Sequence, residues 1–407
     1  MTRPPSRVRQ PAPMTKTGPR LTPLELLARL VSFDTESQKS NLPLIRWVGE
    51  YLDAWGVPYV LAPNETGDKA ALFATIGPMR DGGVVLSGHT DVVPVAGQSW
   101  TSDPYTLRVA DGRAYGRGAV DMKGFDALCL ALVPEMLAAD LRTPIHILLS
   151  YDEELTCLGV ADVIARFGRD LPRPGAVIVG EPTDLDVADA HKSIYTYRTT
   201  VHGHEAHSSK PALGANAVMA AAELVAGLNR IADQMAARGD ASGRFDPGYT
   251  TVHVGVIGGG TARNILPKAC EFQWEFRGLP DLPPDEIPDL FAAEVERVTR
   301  ERLNRFGAYG HIATEEDAAV PGLAPEPGSP AERLALRLAG RNHTITVPYA
   351  TEAGRFQLAG LPTVVCGPGS IDQAHQPDEY ITLAALEAGE VFLRQLVRDC
   401  AAGWSPA

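Results

Sequence analysis

The sequence predicts an α/β domain interrupted by a smaller α+β insertion. Three observations carry this reading. Short, nearly continuous apolar runs at 84–86, 145–149, 176–179 and 363–366 alternate with helical stretches, as strands of a sheet buried on both faces do. Between 193 and 314 the strands alternate apolar and polar residues instead, the pattern of a sheet with one wet face. There the order reads strand, helix, strand, strand, helix, strand, which is the split βαβ or ferredoxin-like arrangement. The expected division is a tail over 1–20, a larger domain over 21–192 and 315–407, and an insertion over 193–314.

The first 20 residues carry five basic side chains, no acidic one and several prolines. They have no apolar core of the kind a secretory signal needs, and they read as a disordered tail in which Met14 is an alternative start. Order begins at Leu21, where Thr22 and Glu25 make a capping box and Pro23 takes the first helical position. A second helix follows, with Leu44, Trp47, Val48, Tyr51, Leu52 and Trp55 on one face and Gly56 as its terminator. In the insertion, Tyr195, Tyr197, Thr199 and Val201 share one face of a strand, as do Val252, Val254 and Val256, and Phe272, Trp274 and Phe276. Helices are expected at about 214–236 and 285–305, and the Pro-rich stretch 320–330 reads as loop.

Hydrophobic residues make up 44% and charged residues 21% of the 407 residues, which are globular values. Asp plus Glu number 50 against 37 Lys plus Arg, a net charge of −13 with no basic stripe, so nucleic acid is not an expected partner. No apolar run approaches the roughly 18 residues of a membrane helix, so no membrane partner is expected either. The five cysteines, Cys129, Cys157, Cys270, Cys366 and Cys400, form no CxxC pair and sit mostly in apolar stretches. Reduced, buried thiols in a cytoplasmic protein are the expectation.

The chemistry sits where the apolar runs end. The run from Val84 leads to His89-Thr90-Asp91, that from Ile145 to Asp152-Glu153-Glu154, and that from Ala176 to Glu181. Asp121 precedes a helix-like stretch, and the last run leads through Gly367-Pro368-Gly369 to His375. Ligands of open α/β sheets bind beyond the carboxyl ends of the strands, so these segments converge on one crevice. Two histidines with several carboxylates and no thiolate suit zinc, manganese or cobalt. A shared carboxylate such as Asp121 allows two ions about 3.5–4 Å apart, as in hydrolytic two-metal sites. Asp91 is placed to hold the imidazole of His89. Polar residues also follow strands for plain reasons of solvation, and position alone leaves both readings open.

The segments GHTDVVP (88–94), YGRGAVDMKG (115–124), DEE (152–154), GEPT (180–183) and GHEAHSS (203–209) resemble, in order and spacing, the co-catalytic zinc amidohydrolases and peptidases. The resemblance covers about 21–395 and implies a zinc-peptidase-like α/β catalytic domain with an inserted lid and dimerisation domain. By that resemblance His89, Asp121 and Glu181 hold one divalent ion, and Asp121, Glu154 and His375 hold the other. Zinc is expected, with cobalt as the alternative. Asp91 orients His89, and Glu153 is the general base that takes a proton from the attacking water. His207 matches the lid histidine that reaches the oxyanion, in many members from the neighbouring subunit of a homodimer, although Ala206 stands where glycine is usual.

Gly258-Gly259-Gly260 lacks the third glycine of a dinucleotide loop and follows an alternating strand, so no nucleotide is expected. In the family, Asn264 and Arg277 match residues that grip the substrate carboxylate. TEAGRF (351–356) and CGPGSIDQAHQPDEY (366–380) resemble the branch acting on N2-acetyl-L-ornithine in arginine biosynthesis, with Arg355 shared by the desuccinylase branch. A small acyl-amino acid is thus the expected substrate, with Glu352 placed to meet its cationic amine. The alternatives are a succinyl-diaminopimelate desuccinylase, a broader N-acyl-amino-acid amidohydrolase, and an inactive amino-acid-binding protein on the same fold.

Overall fold

The computed structural model describes residues 18–406. Most of the expected tail, 1–17, lies outside the described residues. Helix α1 (Pro23–Val31) starts as its capping box dictates: the Thr22 hydroxyl accepts from the Glu25 amide at 3.2 Å, and the Glu25 carboxylate accepts from the Thr22 amide at 2.8 Å. Helix α2 (Leu42–Trp55) ends on Gly56 in the left-handed region, φ +73°.

Strands β1 (Tyr59–Pro63), β2 (Ala70–Ile76) and β3 (Val84–His89) follow, then a short hairpin of β4 (Arg108–Ala110) and β5 (Arg113–Tyr115). Next come α3 (Lys123–Ala131), α4 (Val133–Ala138), β6 (Ile145–Ser150), α5 (Ala161–Arg166), β7 (Ala176–Pro182) and β8 (Ala188–His191). The insertion consists of β9 (Ile194–His202), α6 (Ala217–Arg238), β10 (Thr251–Gly259), β11 (Ala269–Arg277), α7 (Glu286–Val298) and β12 (His311–Val320). The chain then returns through α8 (Pro330–Ala339), β13 (Ile345–Val347), α9 (Ala353–Leu358), β14 (Thr363–Gly367), β15 (Tyr380–Thr382) and α10 (Leu383–Ala402).

The large sheet has the order β1-β2-β6-β3-β7-β14-β8-β13. Its centre is parallel, with β3 between β6 and β7 and with β14 beside β7. Every residue of β2, β3, β6, β7 and β14 is buried, which is why these strands read as unbroken apolar runs. One core cluster gathers α1, α2, α3 and α10 with one face of the sheet, and a second covers the other face with residues such as Val85, Val177, Phe356 and Val365.

The small sheet is antiparallel throughout, in the order β10-β11-β9-β12. Tyr197, Val201, Phe272, Trp274 and Phe276 point to one face, where Leu224 and Leu228 of α6 and Phe291 of α7 cover them. The observed order is the expected split βαβ. Its last strand runs past the expected boundary at 314 to Val320. All five cysteines are buried and unpaired. Among the described residues, no helix is long and apolar enough to cross a membrane.

Candidate active site

The carboxyl ends of β3, β6 and β7 open into one crevice, and α3 approaches directly beneath it. A side chain at Gly88 would sit 2.1 Å from the Asp126 carboxylate, and one at Gly180 would sit 2.2 Å from the Phe125 ring. The glycines before His89 and Glu181 therefore give α3 its close approach to the strand ends. The bond between Asp121 and Met122, just before α3, is cis.

Six side chains meet in the crevice. His89 Nε2 lies 3.0 Å from Asp121 Oδ1 and 3.5 Å from Glu181 Oε1. His375 Nε2 lies 3.0 Å from Asp121 Oδ2 and 3.1 Å from Glu154 Oε2. Asp121 thus faces both histidines, one with each oxygen. Two overlapping sets, His89 with Glu153 and Glu181, and His89 with Asp121 and Glu154, hold their donor atoms within 4.8 Å of one another. Imidazole nitrogens and carboxylate oxygens at this spacing fit a borderline divalent cation such as zinc or cobalt.

In the ion-free site these groups bias one another strongly. Desolvation pushes Glu153 well above the carboxylate range, with the charges of Glu154 and Asp121 adding to it against that of His89. Glu181 is raised in the same way, by desolvation and then by Asp121 and Glu153. Desolvation and Asp121 bring Glu154 to about 7, against its hydrogen bond with His375. Hydrogen bonds to Asp121 and Glu154 carry His375 to about 10. Burial alone would lower His89, but Asp121 and Glu181 hold it well above the usual histidine range. Burial would raise Asp121, yet the two histidines hold it below. Crowded carboxylates of this kind are relieved by a cation.

Asp91 meets His89 mainly through its backbone. His89 Nδ1 is 2.9 Å from the backbone carbonyl of Asp91 and 3.6 Å from its carboxylate. The carboxylate instead accepts from the Ser37 hydroxyl at 2.8 Å and from the Glu153 and Glu154 amides at 3.2 and 3.3 Å. It anchors the turn that carries the two glutamates.

Glu352 and Arg355, two of the expected substrate contacts, are engaged by partners within the chain. Glu352 is buried, 1% exposed, and its two oxygens accept from Ser87 Oγ at 2.5 Å and Ser150 Oγ at 2.7 Å. It lies against β3 and β6 and does not face the crevice as an amine partner would. Arg355 donates through Nη2 to the carbonyls of Thr156 and Ala319, both at 2.6 Å, tying β12 to the loop that follows the glutamate pair.

The insertion residues do not form one group within the chain. His207 is exposed, its Nδ1 accepts from Ser209 Oγ at 2.7 Å, and the Ser208 amide donates to the Asn264 carbonyl at 3.1 Å. Both lie beyond the end of the small sheet marked by His202, Gly259 and Ala269. Arg277, half-buried and 3.2 Å from Glu275, lies at the other end of β11, where the sheet joins the rest of the molecule. Ala269 and Arg277 are the two ends of a nine-residue strand, eight steps or roughly 26 Å apart at about 3.3 Å per residue. A joint grip by Asn264 and Arg277 of one chain is therefore out of reach.

Sequence reasoning missed the residues that hold the site in place. Ser37 supports Asp91, Lys69 pairs with Asp152, and Cys157 Sγ lies 3.3 Å from Glu153 Oε1. Arg117 and Glu379 form a buried pair beside Asp121. The available signal was two opposite charges inside glycine-rich or proline-containing loops next to candidate ligands.

Residues 85–399 match the profile of peptidase family M20/M25/M40. The chain is 34% identical over 367 residues to the acetylornithine deacetylase of Proteus mirabilis (strain HI4320), covering 90% of this chain and 92% of that protein. It is 32% identical over 373 residues to that of Pasteurella multocida (strain Pm70), covering 91% and 94%. Among solved structures, the metallo-carboxypeptidase Sso-CP2 of Sulfolobus solfataricus superposes with a TM-score of 0.73 at 18% identity, covering 93% of this chain and 99% of that one. The YxeP protein of Bacillus subtilis, described as a dinuclear metal-binding peptidase, gives 0.64 at 14% identity, covering 94% and 99%.

Proposed function

The chain belongs to peptidase family M20/M25/M40, and from that premise we propose that this metallo-amidohydrolase converts N2-acetyl-L-ornithine to L-ornithine and acetate, in arginine biosynthesis in the cytoplasm. The observation that carries the reading is Asp121 facing His89 with one oxygen and His375 with the other, beside Glu181 and Glu154. The similarity to curated acetylornithine deacetylases over nine-tenths of the chain supports the substrate.

Two divalent ions, zinc or alternatively cobalt, are assigned to His89, Asp121 and Glu181, and to Asp121, Glu154 and His375. Such a pair, when bound, acidifies water and polarises the amide carbonyl. Glu153 accepts the proton of the attacking water and returns it to the leaving amine. Cys157 occupies one of its oxygens, and the role of Glu153 as base and not ligand is taken from the family resemblance. Asp91 fixes the backbone of both glutamates. Arg277 binds the substrate α-carboxylate.

His207 and Asn264 reach a crevice only from a second copy of the chain, because they lie at the far end of the sheet from Arg277. A homodimer is therefore part of the proposal. The β10 edge, with Val256 and Ile257 more than half exposed, offers apolar surface for it.

The test is initial rates of zinc- or cobalt-loaded enzyme on N2-acetyl-ornithine, N-succinyl-diaminopimelate and N-acetyl-methionine. Preference for acetyl-ornithine, abolished by chelator and restored by metal, is the expected result. A preference for either other substrate overturns the substrate assignment and leaves the metal chemistry standing.

A further inference from the structure

The two cation positions are built from unlike material. His89 and Glu181 are buried on β3 and β7, inside the ladder of the large sheet. His375 sits on a loop, its side chain 52% exposed and its backbone in the left-handed region at φ +61°. Nothing in its own segment fixes it as a strand fixes His89.

A chain of buried polar contacts does so instead. The Glu379 carboxylate, 2% exposed, accepts from Arg117 Nη1 at 2.7 Å and from the amides of Gly118 at 3.0 Å, Val120 at 3.0 Å and Asp121 at 3.2 Å. One carboxylate thus shapes the whole loop that delivers Asp121. Arg117, 1% exposed, also donates through Nη2 to Gln98 Oε1 at 2.6 Å. Gln98 Nε2 donates to the His375 carbonyl at 2.9 Å. The contacts run from the backbone of Asp121 through Glu379, Arg117 and Gln98 to the backbone of His375. At the far side the circuit closes, since His375 Nε2 is 3.0 Å from Asp121 Oδ2.

We propose that Glu379, Arg117 and Gln98 are positioning residues that, through the backbone of His375, set the occupancy of the cation position formed by Asp121, Glu154 and His375, while the other position keeps two ligands, His89 and Glu181, that the large sheet holds without them. This rests on the two-cation reading above. Charge-assisted hydrogen bonds are shorter and roughly twice as strong as neutral ones, and supports of this kind typically change metal affinity about 10- to 100-fold when removed. On the acidic side of the pair the burial is met, since Glu379 receives four donors, whereas Nε of the buried Arg117 has no partner.

The test is zinc binding to the metal-free protein by titration calorimetry, with bound metal counted after dialysis. Gln98→Ala removes the hydrogen bond to the His375 carbonyl and leaves the Glu379 cradle and the longer Arg117 contact with the Gln376 carbonyl, 3.5 Å, in place. It is expected to bind one ion as the wild type does and the second 10- to 100-fold more weakly, with the melting temperature of the metal-free protein unchanged. Glu379→Gln, which loosens the loop carrying the shared Asp121, should weaken both positions, and that contrast with Gln98→Ala marks the His375 branch of the relay. Wild-type affinity at both positions in Gln98→Ala, or equal weakening at both, overturns the relay. Fewer than two ions bound by the wild type overturns the two-cation reading itself, and the relay with it.

Discussion

Asp91→Ala separates two roles for a residue expected to orient His89. The carboxylate is 3% exposed and meets the Glu153 and Glu154 amides and the Ser37 hydroxyl. In the variant Ser37 can turn to the Val92 carbonyl, 3.4 Å away, but the two amides lose their acceptor. Hydrogen bonds to a charged group are worth about 1.5–3 kcal/mol each, so the glutamate turn loses about 3–6 kcal/mol before it relaxes. If one bond's worth is lost from positioning Glu153, kcat/KM falls roughly 10- to 150-fold. His89 keeps its orienting acceptor, the backbone carbonyl at 2.9 Å, so zinc affinity at its position should change by less than about threefold, well short of the 10- to 100-fold cost of losing a ligand's support. Steady-state kinetics at saturating zinc and a zinc titration read the two effects separately. A large loss of zinc affinity with kcat preserved in the fully loaded variant would refute the reasoning and return Asp91 to His89.

Glu153→Gln should lower kcat by about 10²–10⁴ while metal content stays at the wild-type level; turnover within a few-fold of wild type removes Glu153 as the base. His207→Ala and Glu153→Gln, each inactive alone, should regain about a quarter of wild-type activity when mixed and re-equilibrated, because half the dimers are hybrids with one complete site; no recovery argues for action within one chain. His146 and His191 are held neutral by burial, with values of about 4, so the unfolded chain takes up protons first as pH falls from about 6.5. Stability of the metal-free protein should drop between those values by up to about 3 kcal/mol per histidine, and urea unfolding of His146→Gln should show a shallower slope. Metal uptake requires neutral imidazole and ionised carboxylate, whereas in the ion-free site His375 lies at about 10 and Glu154 at about 7. Zinc binding at neutral pH should therefore release protons and strengthen as pH rises, and an apparent enthalpy independent of the buffer's ionisation enthalpy would contradict this.

The strand-borne half of the site was legible because burial on both faces of the sheet forces an apolar run, and the first polar residue after it marks the crevice. His89 and Glu181 follow from that rule, as the wholly buried β3 and β7 show. The alternation of Phe272, Trp274 and Phe276 likewise exposed the second sheet, since its other face is wet. The end of β12 was not legible: Glu315, Glu316 and Asp317 lie on an exposed edge strand with a register shift after Glu316, so no apolar period marks them. Strands β4, β5 and β15 are three residues each, too short for any period. The partners of Glu352 were not legible for a tertiary reason, because Ser87 and Ser150 arrive from β3 and β6, far away in the chain.

The loop-borne half follows a different physical rule. A loop has no ladder to fix it, yet Asp121, the proposed shared ligand, meets His375, more than 250 residues away in the chain, within hydrogen-bond distance. Burying a charge pair costs several kcal/mol per ion unless each charge is fully met, and breaking such a pair costs about 3–5 kcal/mol. That penalty makes the Arg117–Glu379 pair a stiff device: any displacement of either loop leaves a desolvated charge without a donor. Stiffness is what a cation site on loops needs, because losing the groups that orient its ligands typically costs about 10- to 100-fold in affinity. The requirement shows in sequence only as one arginine and one glutamate in short polar segments, each four residues from a ligand: Arg117 before Asp121 and Glu379 after His375. The metal centre is thus specified twice over, by hydrophobic period for the ligands on strands and by buried electrostatics for those on loops.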